Sequence, residues 1–501
     1  MTDSVNAELR RYRDVRSQLE AQVLPRASSL DGRAFSFQSP VAEPLQPGAY
    51  VTLETATGLV LGQVIDSDLR LVDGPELESA AGEGPRARSH VRFHAVGGRG
   101  TTLTPAAPFH DAPLAAAAAE QVGAWLDERT DTRAAQLAIG ELAFTPGVAA
   151  RISASGFDRH TFLVGQSGSG KSYALSVILE QLLLETDLRI VVLDPNSDFV
   201  HLPELRDGVA PEPADRWRRR AQAMRVRRLG EEANGLRLRF ADLSDDAQAA
   251  VAGLDPVADR DEYGALLTLL ERDRSGVDID ELLTELETGP AEMRSLGMRF
   301  RNLGILGWPV WTRSRQPGLL DELDEDDWRL LVVDLGSIPV EAERALVAES
   351  VLERLWRGRA RRRPLLCVID EAHNVCPQEP RDPLTALATE HAVRIAGEGR
   401  KYGLHLLVST QRPSKAHENV LSQCDNLVLM KMNSVADLAR LSELFSYVPP
   451  SLLDRSRVFR QGESLVAGKI SGDPLFVRFG GRVAREGGGD VSAAWAAPRS
   501  D

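Results

Sequence analysis

Two hydrophobic patterns divide the chain. From about residue 33 to residue 108, apolar and polar positions alternate over short runs that glycine and proline interrupt, as at 50–54, 58–65 and 91–96. Alternation with a period of two is typical of strands buried on one face, and short strands at close spacing predict a small β-barrel. Residues 1–25, which precede this region, have the charged, amphipathic pattern of a single helix.

Further along the chain, apolar residues stand in nearly uninterrupted runs. These runs lie at 161–164, 189–193, 330–333, 365–369, 404–408 and 426–430. Parallel strands that are buried on both faces require continuous apolarity, and helical patterns separate the runs. The sequence therefore predicts an α/β fold with an open parallel sheet, into which a mostly helical region at about 242–325 is inserted.

The patterns predict five segments. They are a helical arm at 1–30, a small β-barrel domain at 31–108, a linker and helix at 109–150 that includes the alanine run 115–119, an α/β core at 151–475 and a partly disordered tail at 476–501. The tail is rich in glycine, alanine and serine beyond residue 484, which is why part of it is expected to lack fixed structure.

Composition narrows the class of protein. The chain has 43% apolar and 26% charged residues, as ordinary globular proteins do. No run approaches the ~20 apolar residues of a membrane helix, and the N-terminus lacks a signal-peptide core, so we expect a cytoplasmic protein. The net charge of −14 argues against a surface that coats nucleic acid everywhere. Two arginine-rich runs, 216–228 and 357–363, either contact phosphate backbones locally or end helices in solvent.

A glycine-rich loop carries the clearest chemistry. It follows an apolar run and precedes a helical pattern, and its order Gly-x4-Gly-Lys-Ser is that of a phosphate-binding loop. Glycines let backbone amides converge on phosphates at a helix N-terminus. We expect Lys171 to contact the β- and γ-phosphates of ATP and the Ser172 hydroxyl to bind Mg²⁺. The predicted nucleotide-binding residues of this loop are Gly165, Gln166, Ser167, Gly168, Ser169, Gly170, Lys171, Ser172 and Tyr173.

Two further elements follow buried runs. Asp370 and Glu371 come directly after 365–369, where Asp370 is expected to hold Mg²⁺ and Glu371 to act as general base toward water. Adjacent carboxylates can also form a solvated turn. Gln411 follows 404–408 and is a candidate to sense the γ-phosphate, with a simple polar turn at the strand end as the alternative.

Arginines and one more carboxylate complete the candidates. Arg400 lies between glycines ahead of a core run and is predicted to reach a neighbouring subunit's γ-phosphate. The alternative is a cation at a glycine-capped helix end. Arg159 is a second candidate for a trans-acting cation or else a solvated loop residue, and Arg394 competes with Arg400 as the main arginine finger. Asp194 ends another run and is predicted to contribute to the nucleotide site.

In this order the motifs resemble those of the HerA family of hexameric DNA-translocating ATPases, within the wider HerA/FtsK group. The matching pieces are 159–172, 194–199, 368–373, 398–403 and 409–414, and the resemblance extends loosely over 35–475. It implies a RecA-like ATPase domain behind an N-terminal barrel. It also implies hydrolysis of Mg-ATP by Lys171, Ser172, Asp370 and Glu371.

The same resemblance implies a biological setting. Arg159 and Arg400 are expected to act across subunit interfaces of a ring, which would move on double-stranded DNA as a helicase or translocase. Members of the family often work with a separate nuclease or effector, in DNA repair or in antiphage defence. Asp198 departs from the pattern, because a glutamate is expected at its place, and the N-terminal helix is an addition.

Two alternatives stay open at the level of sequence. One is a secretion or conjugation ATPase, which has related motifs and is expected to dock at a membrane. The other is an oligomeric scaffold that organises an effector enzyme and uses ATP as a regulatory ligand. Stimulation of ATP hydrolysis by DNA distinguishes the motor from the scaffold.

Overall fold

The computed structural model of the chain describes residues 2–41, 45–79, 87–131, 133–231, 235–270, 279–312 and 317–487. The predicted disorder of the tail concerns residues from 488 onward and lies outside the described residues. The predicted N-terminal helix is confirmed as α1 (Thr2–Gln22). It lies on the strand-rich region that follows, where Arg16 Nη2 is 3.3 Å from His94 Nδ1.

Six of the described strands close into a barrel in the order β1-β2-β5-β4-β3-β6. They are β1 (Arg26–Ser29), β2 (Ala34–Ser39), β3 (Tyr50–Thr55), β4 (Gly58–Ser79), β5 (Ala87–Thr102) and β6 (Phe109–Ala116). Alternate residues of β2 face inward, and Phe35 and Phe37 pack there with Val51, Leu53 and Val64. The alternating pattern of the sequence therefore forms the core of this unit.

The helix predicted across the alanine run is wrong for residues 109–116, which form β6. Ala112 and Leu114 are buried while their neighbours point outward, as in a strand. Because β6 pairs with both β1 and β3, its ladder hydrogen bonds close the barrel and outweigh the helix preference of alanine. The helix begins only at α2 (Ala119–Arg129).

The second sheet has eleven strands. They are β7 (Gln136–Leu142), β8 (Ala149–Ser153), β9 (His160–Val164), β10 (Arg189–Asp194), β11 (Met224–Arg227), β12 (Leu330–Asp334), β13 (Leu365–Ile369), β14 (Leu404–Thr410), β15 (Cys424–Leu429), β16 (Glu463–Ala467) and β17 (Leu475–Phe479). The parallel part runs β11-β12-β10-β13-β14-β9-β15, and β16, β17, β7 and β8 continue it in antiparallel pairs. The mixed α/β fold is confirmed.

Two predicted boundaries differ from this sheet. The hairpin of β7 and β8 falls largely in the predicted linker, and β17 falls in the predicted tail, yet both belong to the core sheet. Their positions in the sheet result from antiparallel pairing across more than 300 residues of sequence, as between Val477 and Leu142. Because residues so far apart in the sequence pair, no local pattern shows where the core segment begins or ends.

Helices cover both faces of the parallel strands. They are α3 (Lys171–Glu185), α4 (Pro211–Ala221), α5 (Asp245–Ala252), α6 (Arg260–Leu270), α7 (Ile279–Thr288), α8 (Ala291–Asn302), α9 (Leu319–Asp324), α10 (Glu341–Arg357), α11 (Pro383–Glu398), α12 (Glu418–Leu421), α13 (Val435–Leu444) and α14 (Pro450–Asp454). Neighbouring residues of β9 serve different cores. Leu163 packs in the core that contains α3, and Phe162 packs in the core that contains α10 and α11.

The predicted helical insertion corresponds to α5 through α9, which lie between β11 and β12 in sequence. Its core includes Phe240, whose ring is tilted relative to that of Phe300 and packs edge-to-face with that of Trp311. Among the described helices, none is both long enough and apolar enough to cross a membrane.

Candidate functional site

Four parallel strands bring the predicted motifs to one edge of the sheet. The glycine-rich loop follows β9, Asp370 follows β13, Gln411 follows β14 and Asp194 ends β10. These strands are neighbours in the order β10-β13-β14-β9, and all four end at the same edge because they are parallel. The carboxyl edge of an open parallel sheet is where such folds bind ligands.

The phosphate loop has the backbone that its glycines predict. Gly168 and Gly170 have φ of +75° and +92°, and α3 begins directly afterward at Lys171. A Cβ at Gly165 would lie 2.7 Å from Ser169 Oγ, so a side chain there would fill the loop. Gln166 braces the loop from outside, since its backbone N–H donates to Lys431 O at 2.9 Å. The loop is therefore a narrow cradle at a helix N-terminus.

Lys171 lies at the centre of the site. Its Nζ donates to Asp370 Oδ1 at 2.6 Å and to Ser409 Oγ at 3.0 Å, and it lies 3.1 Å from Glu371 Oε1. Burial alone would lower the pKa of the Lys171 ammonium, but the carboxylates of Asp370 and Glu371 outweigh burial and raise it. Lys171 is thus a fixed cation that carboxylates from the neighbouring strand end hold in place.

Glu371 occupies a strained backbone position. Its φ is +43°, in the left-handed region that side chains rarely adopt. The carboxylate accepts from Gln411 Nε2 at 2.7 Å and from the Gln411 backbone N–H at 3.2 Å, and His373 Nδ1 lies 3.3 Å away. Burial would raise the pKa of Glu371, but His373, Lys171 and Gln411 together lower it to about 2. The Glu371 carboxylate is therefore ionised, and Gln411, the predicted sensor of the γ-phosphate, fixes its orientation.

Asp198 is the carboxylate of the β10 loop that contacts the phosphate loop. Its Oδ2 accepts from Ser172 Oγ at 2.8 Å, although the family pattern has a glutamate at this position. Asp194 has a different task. Its carboxylate accepts backbone N–H groups of Asp198 and Phe199 at 3.0 and 2.8 Å, and so shapes the loop that carries Asp198. Burial raises the pKa of Asp194 to about 7.

Two buried oxygens indicate what the site is built to receive. Asp370 Oδ2 and Ser169 Oγ have no hydrogen-bond partner among the described residues. Leaving a buried polar oxygen without a hydrogen-bond partner costs free energy. Carboxylate and hydroxyl oxygens bind hard cations directly or form hydrogen bonds with the waters around them. Together with the cradle at Gly165, these atoms fit a nucleoside triphosphate with a cation that Ser172 and Asp370 would hold.

The predicted trans-acting arginines lie at the opposite edge. Arg159 precedes β9 and Arg400 precedes β14, so both are at the amino edge of the sheet. They meet at one carboxylate: Arg400 Nη1 is 2.8 Å and Arg159 Nε is 3.8 Å from Asp425 Oδ2. Arg394 lies on α11, where it pairs with Glu390 one turn earlier. The structure therefore groups Arg159 with Arg400, whereas Arg394 pairs with a carboxylate of its own helix.

The two arginine-rich runs contact protein carboxylates. In the first run, Arg216 pairs with Glu185 at 2.7 Å and Arg220 pairs with Asp187 at 2.9 Å. In the second, Arg361 Nη1 lies 2.8 Å from Asp324 Oδ1. These pairs favour the alternative in which the runs end structural elements in solvent.

The sequence missed two partners in the site. Nothing in the sequence marks Ser409 except its place near the end of β14, yet its Oγ accepts a hydrogen bond from Lys171 Nζ. His373 lies in the stretch 368–373 that follows the buried run, and its ring is 3.0 Å from Thr410 Oγ1. Both residues adjoin predicted motif residues, so proximity along the chain was the signal available.

Residues 137–295 match a family model whose description is "Helicase HerA, central domain". The predicted resemblance to the HerA family is confirmed. The match begins in β7 and continues through the phosphate loop and β10 into the helical insertion. The matched residues therefore include the phosphate loop and the β10 loop, whereas Asp370, Glu371 and Gln411 lie beyond them.

Relatives of known name agree with this match. A probable helicase of Methanocaldococcus jannaschii is 22% identical over 386 residues, which cover 71% of this chain and 69% of that protein. The DNA double-strand break repair helicase HerA of Pyrococcus furiosus is 23% identical over 401 residues, 68% of each chain. Among solved structures, VirB4 of Thermoanaerobacter pseudethanolicus aligns with 70% of this chain and 98% of its own, at 16% identity and a TM-score of 0.48. The HerA match and the helicase relatives confirm the predicted enzyme class, an ATPase of the helicase or translocase type.

Proposed function

We propose that the chain assembles into a ring, a hexamer by resemblance, that hydrolyses ATP to move along double-stranded DNA. The observation that carries this proposal is the division of the catalytic groups between two edges of one sheet. Lys171, Glu371 and Gln411 lie at the carboxyl edge, and Arg159 and Arg400 at the amino edge. β9 has five residues, so at about 3.3 Å per residue the two edges are roughly 16 Å apart.

A ring explains this division. The arginines cannot reach the phosphate loop of their own chain through a strand that is buried on both faces. A neighbouring subunit that presents its amino edge can place Arg400 at this loop, where a guanidinium stabilises charge on the transferred phosphoryl group. Because Arg159 and Arg400 both lie at Asp425, both guanidinium groups stay at the amino edge of the sheet, the edge that would face the neighbouring subunit.

Within one site, the residues divide the work. Ser172 and Asp370 would hold Mg²⁺, which would supply positive charge to neutralise the phosphates. Lys171 exchanges its contacts with Asp370 and Glu371 for phosphate oxygens of the substrate. With Lys171 on the phosphates, the Glu371 carboxylate is released from that ammonium and can accept a proton from the attacking water. Gln411, bonded to Glu371, carries this change to the end of β14.

DNA as the track and a separate effector as partner come from the family. The Pyrococcus furiosus relative is named a DNA double-strand break repair helicase, and members of the family often act with a nuclease or an effector. We propose the same arrangement here, either in DNA-end processing or in antiphage defence. The barrel at 26–116 and α1 contain none of the site residues described above, and we propose them as the region that contacts such a partner.

We expect linear duplex DNA to stimulate ATP hydrolysis strongly, because translocation couples each catalytic cycle to contacts with the phosphate backbone. The stimulation should weaken as salt is raised, since salt competes for those contacts. Steady-state phosphate release by the purified protein, with and without DNA at two salt concentrations, measures it. Hydrolysis that ignores DNA at both salts would instead favour a scaffold whose nucleotide controls an effector.

A further inference from the structure

The end of the described chain forms a strap beside the nucleotide site. We call residues 480–487 the strap. It leaves β17 at Gly480, whose N–H donates to Ile139 O at 2.8 Å, and then passes between α3 and the loop at 195–206. None of the motifs in the sequence points to this segment, because it carries no pattern of catalytic residues.

A buried ion pair fastens the strap to the helix of the phosphate loop. Arg482 Nε donates to Glu180 Oε1 at 3.1 Å, and these side chains are 2% and 1% exposed. The Val483 backbone N–H donates to the other oxygen of Glu180 at 2.6 Å. The Arg482 guanidinium also lies 5.7 Å from the ring centre of Tyr173, which is in the first turn of α3 directly after Ser172. Arg482 therefore contacts two residues that lie about two turns apart on α3, Tyr173 and Glu180.

The strap is equally attached to the loop that carries Asp198. The Arg206 N–H donates to Val483 O at 3.0 Å, and the Arg485 N–H donates to Glu204 O at 2.8 Å. The last contact is the closest to the site. A Cβ built on Gly487 would lie 2.6 Å from the carbonyl oxygen of Asp198 and 2.9 Å from that of Ser197. Only a glycine lets the strap approach the backbone of Asp198 this closely.

We propose that the strap is a positioning element for ATP hydrolysis, and that Arg482 and Gly487 are its positioning residues. It holds two rigid pieces, α3 and the loop at 195–206, at the separation that keeps Asp198 on the Ser172 hydroxyl. Ser172 is a predicted ligand of Mg²⁺, so the strap sets the geometry of the oxygens around that cation. The inference deepens the proposed function and rests on its Mg-ATP site at Ser172, but it holds whether or not DNA is the track.

The strap contains a matched pair of glycines for the test. Gly487→Ala adds a methyl group where the Asp198 carbonyl oxygen already lies, whereas Gly481→Ala adds one where nothing is within 4 Å. Neither residue has a positive φ that alanine would strain. We expect Gly487→Ala to lower kcat about tenfold or more, as displacements of about 1 Å near reacting groups do. Gly481→Ala is expected to behave as the unchanged protein.

Two further readouts separate positioning from general damage. Gly487→Ala should need a higher Mg²⁺ concentration for half-maximal binding of a fluorescent ATP analogue, and amide hydrogen exchange should quicken at 195–206. The thermal midpoints of the two alanine variants should agree within about 2 °C. Equal kcat, equal Mg²⁺ requirement and equal exchange in both variants would overturn the proposal.

A second variant covers the case in which Gly487→Ala loses stability. The double change Glu180→Gln and Arg482→Met removes both charges of the buried pair together, so no unpaired charge is left in the interior. The glutamine carbonyl can still accept from Val483. We expect this variant to fold and to show the same raised Mg²⁺ requirement, and a normal requirement in a folded double variant would contradict the role of Arg482.

Discussion

Replacing Glu371 by glutamine is expected to lower ATP turnover by about 10² to 10⁴-fold, the usual contribution of a general base. Glutamine keeps the shape of the side chain and can still bond to Gln411, but it cannot take a proton from water. Nucleotide binding should therefore be preserved or tightened. Phosphate release and equilibrium binding of a fluorescent ATP analogue, measured on the same preparation, separate the two effects.

Glu379→Gln is the matched control for this change. Glu379 is exposed, eight positions along the chain, and the same loss of one negative charge there should leave turnover unaltered. If Glu371→Gln kept more than about a tenth of normal turnover, a general-base contribution of the expected size would be absent. Water would then have to be activated by another group of the site.

Arg400→Ala is expected to lower turnover by about 10³-fold or more, which is the range for arginine fingers. ATP binding should change little, because Arg400 lies at the edge of the sheet away from its own phosphate loop. The decisive version mixes two inactive variants. When Arg400→Ala and Lys171→Ala are co-expressed with different tags, an intact loop on one subunit can meet an intact Arg400 on its neighbour.

Mixed rings purified through both tags should therefore hydrolyse ATP faster than either variant alone. Arg394→Ala is the control, because Arg394 pairs with Glu390 on its own helix. It should keep most of the normal turnover. Mixed rings that contain both subunits and remain as inactive as their parents would show that Arg400 does not complete a neighbour's site.

The sequence predicts the chemistry of the site better than its geometry. Gly165, Lys171 and Asp370 could be identified because each needs a particular residue type at a fixed place beside a buried strand. That Arg159 and Arg400 meet at Asp425 could not be read from the sequence, since the meeting depends on the order of β14, β9 and β15 in the sheet.

Asp198 shows the limit of pattern matching. The family pattern has a glutamate at its place, but the shorter side chain still reaches Ser172, because the loop held by Asp194 brings Asp198 close to it. The contacts of the strap are also invisible to pattern matching, because they join residues far apart in the sequence. Glu180 and Arg482 are about 300 residues apart, and nothing local to either residue predicts their buried contact.

Secondary structure was predictable where burial alone decides it. The continuous apolar runs became β9, β10, β12, β13, β14 and β15. The helix predicted across the alanine run is wrong at 109–116, because a helix propensity of about a few tenths of a kcal/mol per residue is smaller than the gain in free energy from closing a barrel. Strand pairing with β1 and β3 is a tertiary effect, so residues 109–116 alone do not contain it.

Displacement of a triplex-forming strand from linear duplex DNA tests the central claim most directly, because only movement along the duplex removes that strand. Displacement is expected to require ATP, to stop in Glu371→Gln and in Arg400→Ala, and to recover in rings that mix Arg400→Ala with Lys171→Ala. A protein that hydrolyses ATP and binds duplex DNA but never displaces the third strand would contradict the motor and leave a nucleotide-controlled scaffold.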